Sequence, residues 1–258
     1  SMLARPHGMF IVTGPTGSGK STTLYAALNH LKAPGVNITT VEDPVEYRLA
    51  GISQIQVKPE IGLDFALSLR AILRQDPDII LIGEIRDRDT VEIAIKASLT
   101  GHMVLSTFHT NDAPGAISRL AYMGIERYLL ASTLNMVVAQ RLVRRICENC
   151  KEPAQPTREV LERLRIDPKD AAGAAFHRGK GCPICGNTGY HGRLPIFEFL
   201  AVDGDIGERI IAGQSEAQIR EAVRNKGYGD LVDSGARAVL RGLTTADEVI
   251  RTTSMSGT

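Results

Sequence analysis

The 258-residue chain has no tryptophan, and aromatic residues make up only 5% of it. Single-stranded nucleic acid is held largely by aromatic stacking, so that role is poorly supplied. Charge bias is also missing: 30 Lys and Arg against 29 Asp and Glu leave a net charge of +1. A dedicated nucleic-acid binder usually carries a strongly basic balance or face. No apolar run reaches the ~18 residues of a membrane-spanning helix. No basic-then-apolar signal segment opens the chain either. Ser1 ahead of Met2 reads as a cloning remnant, so a longer parent protein is expected. What remains is an ordinary globular composition, 43% apolar and 23% charged. The length allows one large domain or two small ones.

Cysteine is scarce but not scattered. The four residues form two C-x-x-C pairs, Cys147/Cys150 and Cys182/Cys185. Four thiolates in two such knuckles suit a tetrahedral zinc ion. An all-cysteine set leaves no open coordination position, so the metal is read as structural. The alternative is a pair of disulfides in a secreted protein. Gly181, Pro183, Gly186, Gly189 and Gly192 surround the knuckles. A loop-built module of that kind has little core of its own, and a metal would hold it in place of one.

In the first half, short β-rich runs alternate with helical patterns. Strands are expected at residues 9–13, 38–41, 78–82 and 103–107, and helices at 20–31, 64–73 and 90–99. Asp112 caps a further helix with Pro114 in its first turn. The rhythm implies a doubly wound α/β sheet whose ligands sit beyond the carboxyl ends of the strands. After Glu126 the strand signal fades. Helices are expected at 128–141, 157–164, 205–212, 216–225, 230–240 and 245–251.

The segment Gly14-Pro15-Thr16-Gly17-Ser18-Gly19-Lys20-Ser21-Thr22 matches the pattern G-x-x-x-x-G-K-[ST], and it follows a strand and opens a helix. Its glycines let backbone N–H groups turn toward phosphate oxygens, and the helix N-terminus adds partial positive charge. Lys20 is expected to reach the β- and γ-phosphates of ATP and Ser21 to hold Mg²⁺. The bland alternative is a glycine turn with a helix-capping serine. Hydrolysis also needs a carboxylate. Glu84 follows the apolar strand Ile79-Ile80-Leu81-Ile82, with Gly83 where an Asp is usual. Glu42, Asp43 and Glu46 form a second acidic cluster, which could equally be a solvated turn. His102 and His109 flank the fourth strand, as catalytic or merely structural residues.

These residues resemble one family closely. RPHGMFIVTGPTGSGKSTTLYAAL, TTVEDPVEY, LRQDPDIILIGEIRD, TGHMVLSTFHTNDA and AQRLVRRIC look like the Walker A, Asp box, Walker B and His box of the secretion-superfamily ATPases. These are the motors of type II secretion and type IV pilus assembly. The resemblance runs from about Arg5 to Arg251. The cysteine knuckles and GLTTADEVIR point to the assembly and export branch. The resemblance implies a RecA-like P-loop NTPase core over residues 1–140, a tetracysteine zinc module over 141–198 and a helical C-terminal subdomain over 199–258. It implies an ATP hydrolase with ATP, Mg²⁺ and Zn²⁺. Glu46 would activate or position the lytic water, Glu84 would take the Mg²⁺ side, and both His102 and His109 would sense the γ-phosphate or pass its state to a neighbour. It further implies a homohexamer at the cytoplasmic face of the inner membrane, peripheral to it. The partners would be platform and accessory proteins, with no nucleic acid. An arginine supplied in trans, from among Arg70, Arg74, Arg86 and Arg88 or from an N-terminal region, would complete the site. The rivals are a small-nucleotide kinase with a zinc lid, a nucleic-acid-dependent motor, and a nucleotide-binding module without activity.

Overall fold

The computed structural model describes residues 5–254. The first six elements in a β-α rhythm are β1 (Gly8–Thr13), α1 (Lys20–Leu31), β2 (Ile38–Glu42), β3 (Ser53–Gln56), α2 (Phe65–Ile72) and β4 (Ile79–Ile82). The rhythm continues through α3 (Arg88–Leu99), β5 (Met103–Phe108), α4 (Ala113–Tyr122) and α5 (Arg127–Thr133). A long strand β6 (Leu134–Ile146) follows, then β7 (Lys151–Pro153), α6 (Arg158–Arg163), α7 (Pro168–Ala172), β8 (His177–Gly179) and β9 (Tyr190–Ala201). Four helices close the chain: α8 (Gly204–Ile211), α9 (Glu216–Asn225), α10 (Leu231–Leu240) and α11 (Ala246–Ser254). The main sheet has seven strands in the order β3-β2-β4-β5-β1-β6-β9. Every pairing from β3 across to β6 is parallel. The doubly wound α/β expectation holds.

The chain forms two compact units. One gathers the residues up to Thr16, Lys20–Ala139 and Phe199–Lys226; the other gathers Gly17–Gly19, Gln140–Glu198 and the residues from Gly227. In the first, every residue of β1, β2, β4 and β5 is buried. That explains their near-continuous apolar sequences, since a central parallel strand is covered on both faces. Helices α1 and α3 pack on β1 and β5. Helix starts are marked by caps: Asp87 accepts from the Thr90 N–H, Asp112 from Gly115 and Asp203 from Ile206. Each such cap satisfies a donor that the helix itself cannot.

In the second unit, β7 and β8 pair antiparallel beside the cysteine knuckles. Helices α10 and α11 pack where Gly235 leaves room; a Cβ there would lie 2.2 Å from Val249 Cγ1. Glu248 of α11 is fully buried and accepts from the Arg144 backbone N–H, the Arg144 guanidinium and the Arg251 guanidinium. Burial alone would push its carboxyl upward. The three donors override burial and hold it down at about 2.

The expectation of a helix over residues 128–141 is corrected. The helix ends at Thr133, and β6 runs on from Leu134, parallel to β1. β6 mixes apolar residues with buried Asn135, Gln140 and Arg141, so no period-two alternation announces a strand and its apolar spacing fits a helix equally well. The fading of strand signal after Glu126 is corrected with it. β9 lies at the sheet edge, the one place where Pro195 does not remove a ladder bond between two strands. β3, also at an edge, is only partly covered, and its sequence SQIQ carries no apolar alternation to announce it.

Candidate functional site

The loop after β1 leaves the sheet with three glycines in conformations that side chains resist: φ is 151° at Gly14, 78° at Gly17 and 84° at Gly19. The N–H groups of Gly17 and Gly19 have no acceptor among the described residues. Lys20 opens α1 and is nearly buried; its Nζ donates to the carbonyls of Gly14 at 2.8 Å and Pro15 at 3.1 Å. The ammonium is thus folded over the loop itself. Ser21 and Thr22 are exposed at the helix mouth, as are Pro15 and Thr16, while Ser18 is buried.

Strand order decides what faces this loop. Neighbouring strands lie ~4.8 Å apart, so the end of β4 falls ~10 Å from the end of β1, with the end of β5 between them. Glu84 follows β4 and His109 follows β5. The structure brings them together: His109 Nε2 is 3.5 Å from Glu84 Oε2. Arg86 pairs with the same carboxylate and lies 4.0 Å from Asp43. Glu84 is largely covered, with a side-chain exposure of 14%. Partial burial, and then the Lys20 charge, push the His109 imidazole below its ordinary range against the pull of Glu84. A half-exposed neutral imidazole, a carboxylate and a lysine therefore share the carboxyl-end edge of the sheet. A 2.8 Å bond from the Thr110 N–H to Thr13 Oγ1 ties the loop after β5 to the end of β1.

Glycine at position 83 has a local cause. Its N–H donates to the Val41 carbonyl at 2.7 Å, and its own carbonyl accepts from Thr107 Oγ1 at 2.6 Å. A Cβ there would lie 3.1 Å from Glu42 Cα. The backbone passes too close to the end of β2 for a larger residue to sit easily.

The acidic cluster after β2 divides. Glu42 is buried and accepts from Tyr25 Oη, Thr40 Oγ1 and Gln54 Nε2. Burial and this carboxylate push the Tyr25 hydroxyl well above its usual range. Glu42 therefore anchors α1 to β2, a role that its sequence position did not reveal. Asp43 faces Arg86. Glu46 is exposed, and its carboxylate has no ion-pair partner among the described residues. The end of β2 is ~14 Å from the end of β1 by strand count.

The two histidines separate. His102 precedes β5 and its Nδ1 lies 2.9 Å from the Ala97 carbonyl and 3.2 Å from Thr100 Oγ1. Its carbonyl receives the Gly8 N–H at the start of β1. Six strand residues put it ~20 Å from the phosphate-loop edge. Within this chain His109 stands beside the loop and His102 stands at the far end of β5. Of the four arginines, Arg86 joins the Glu84 cluster and Arg88 pairs with Glu92 at 2.7 Å. Arg70 and Arg74 lie on the exposed side of α2 and the turn after it.

The cysteines converge in the second unit. Sγ separations are 3.8 Å for Cys147–Cys182, 3.9 Å for Cys150–Cys185 and 3.7 Å for Cys182–Cys185, and all four sulfurs lie within 4.8 Å of one another. Sulfurs ~2.3 Å from a shared zinc stand ~3.8 Å apart at tetrahedral angles, so the set fits that ion. The spacing is far beyond a disulfide bond of ~2.05 Å. Donors already aim at the sulfurs: Asn149 Nδ2 to Cys182, and the N–H groups of Cys182 and Gly189 to Cys185. The Asn149 donor, foremost, draws the Cys182 thiol down to about 6.

The family model for type II/IV secretion system proteins matches residues 1–251. Among curated proteins, the chain is 51% identical over 251 residues to type II secretion system protein E of Pseudomonas aeruginosa, covering 97% of this chain and 49% of that protein. It is 49% identical over 252 residues to the type IV pilus assembly ATPase PilB of Thermus thermophilus, covering 98% of this chain and 28% of that one. The chain therefore spans half or less of the length of these relatives. Among solved structures, the pilus retraction motor PilT with bound ADP superposes with a TM-score of 0.71 at 27% identity, over 97% of this chain and 62% of that one. The mainly parallel sheet, the phosphate loop and the match across nearly every residue agree: this chain belongs to the type II/IV secretion system protein family.

Proposed function

We propose that this chain is the ATP-hydrolysing portion of a motor that assembles a pilus or pseudopilus. The observation that carries the reading is the meeting of Lys20, Glu84 and His109 at the strand ends beside a loop with unsatisfied glycine N–H groups. On binding, Lys20 exchanges its Gly14 and Pro15 carbonyls for phosphate oxygens. Ser21 would hold Mg²⁺, which supplies charge neutralisation for the triphosphate. Glu84, oriented by Arg86 and His109, is the carboxylate best placed to polarise water near the terminal phosphate. Glu46 acts only if the segment after β2 moves toward the loop. His109, neutral at pH 7, reads the γ-phosphate by hydrogen bonding. The four cysteines would hold a structural zinc ion that fixes the knuckles. The relatives' names support a pilus or type II secretion setting; hexamer formation, inner-membrane platform and accessory partners, and a peripheral cytoplasmic location are what the family resemblance implies.

Two variants separate the steps. Lys20→Ala is expected to weaken nucleotide binding, whereas Glu84→Gln is expected to bind ATP normally and release phosphate ~10²-fold more slowly, the scale of a lost general base. Equal turnover in wild type and Glu84→Gln would remove Glu84 from the chemistry. A phosphorylated second substrate in place of free phosphate would favour the kinase reading.

A further inference from the structure

The segment AQRLVRRIC carries family resemblance, yet the chemistry above assigns it no role. Its Gln140 lies on β6 and is 2% exposed. The Gln140 Nε2 donates to the Ser18 carbonyl at 2.8 Å, in the middle of the phosphate loop. A Cβ added to Gly19 would meet the same nitrogen at 2.9 Å and Leu142 Cδ1 at 3.6 Å. The side-chain amide thus presses directly on the Ser18–Gly19 peptide.

A trans peptide is planar, with its C=O and N–H on opposite sides. Fixing the Ser18 carbonyl toward Gln140 therefore fixes the Gly19 N–H in the opposite direction. That N–H has no acceptor among the described residues. With glycine on its C-terminal side, the Ser18–Gly19 peptide flips more readily than one between two residues that carry a Cβ. A flipped peptide would present a carbonyl to an anion in place of a donor.

We propose that Gln140 is a positioning residue for nucleotide: it holds the Ser18–Gly19 peptide with its N–H turned toward the phosphates. The inference rests on the nucleotide reading above. Gln140 touches neither substrate nor reacting atoms; it acts through the loop. Gly19 then has two reasons to be glycine, its φ of 84° and the room it leaves for the amide. A loop that is competent only part of the time binds with an affinity reduced by that fraction.

The test compares wild type with Gln140→Met, which keeps the volume and loses the donor, and Gln140→Glu, which sets an acceptor against the Ser18 carbonyl. Binding is read with a fluorescent ATP analogue and Mg²⁺, alongside steady-state hydrolysis. The expected order of affinity is wild type, then Gln140→Met weaker by ~10-fold, the dilution for a loop one-tenth competent, then Gln140→Glu weaker still. KM rises while kcat stays within about twofold, a split that mere loss of stability would not give. Proton NMR of the wild type adds a readout that needs no variant: one Gln140 side-chain amide proton is expected to exchange slowly, with and without ATP. Unchanged affinity in both variants, or rapid exchange of both amide protons, overturns the inference alone. Failure of the wild type to bind the analogue overturns the nucleotide reading and this inference with it.

Discussion

Gly83 stands where an aspartate commonly ends such a strand, and its surroundings account for the exchange. The approach of Glu42 Cα leaves no room for a Cβ in ordinary contact. Gly83→Ala is expected to destabilise the fold by ~1–3 kcal/mol, the usual cost of overpacking, measured by denaturant unfolding. A neutral effect would show that the end of β2 gives way freely. His109 offers a second residue-scale test. Its imidazole is held low by burial first and by Lys20 second. Lys20→Ala is therefore expected to raise its pKa toward the ordinary value of ~6.5. NMR titration of the ring proton reads this directly, and an unmoved pKa would mean that Lys20 exerts no field there. Lys20 and the four cysteines stood out in the sequence by their spacing, whereas Glu84 and His109 drew notice through the family resemblance of their segments. The sequence was not legible for Glu42 or Gln140, whose partners lie in other elements and were brought close only by folding.

Elements in the β-α rhythm other than β3 and α5 were readable because each is short, punctuated by glycine or a cap, and apolar with one period. α2, α3 and α4 begin one residue after Asp64, Asp87 and Asp112, whose side chains accept from the N–H of the third helical residue, Leu67, Thr90 and Gly115. β6 was not readable. Its run LNMVVAQRLVRRI continues the apolar spacing of α5, and only the sheet reveals the break at Leu134. The element-scale predictions concern the second unit. Gly179 would place a Cβ 2.0 Å from the Gly189 carbonyl oxygen, so Gly179→Ala should force β8 away from the knuckle and weaken metal retention. Release of zinc to a chromophoric chelator measures this. One zinc per chain is expected in the wild type, and none would contradict the tetracysteine reading. Glu248 links β6 to α11. Its carboxyl is depressed in the fold, so the stability it contributes is full above its ordinary value of 4.5 and is lost as pH falls toward about 2. Glu248→Gln should therefore destabilise the fold at neutral pH, by less than the ~3–5 kcal/mol of a fully buried pair because both arginines are half exposed, and flatten acid unfolding within that window.

At the scale of the whole molecule, composition excluded more than it specified. Near-balanced charge and few aromatics argued against a nucleic-acid motor, and no helix among the described residues is long and apolar enough to cross a membrane. The site as seen in one chain has a lysine and a carboxylate, with Arg86 committed to Glu84. Transition-state charge in phosphoryl transfer often needs an arginine supplied in trans, worth ~10³–10⁵ in rate. A dilute monomer is accordingly expected to bind ATP and turn it over slowly, with a rate that climbs as concentration drives assembly. Brisk, concentration-independent turnover would show that one chain carries the complete site.

The most direct measurement follows the imidazole resonances of His109 and His102 while the protein is titrated with Mg·ATP. If the triphosphate seats in the glycine loop at the carboxyl ends of β1, β4 and β5, His109 shifts and His102, at the other end of β5, does not. A shift confined to His102, or silence from both at saturating nucleotide, would contradict it.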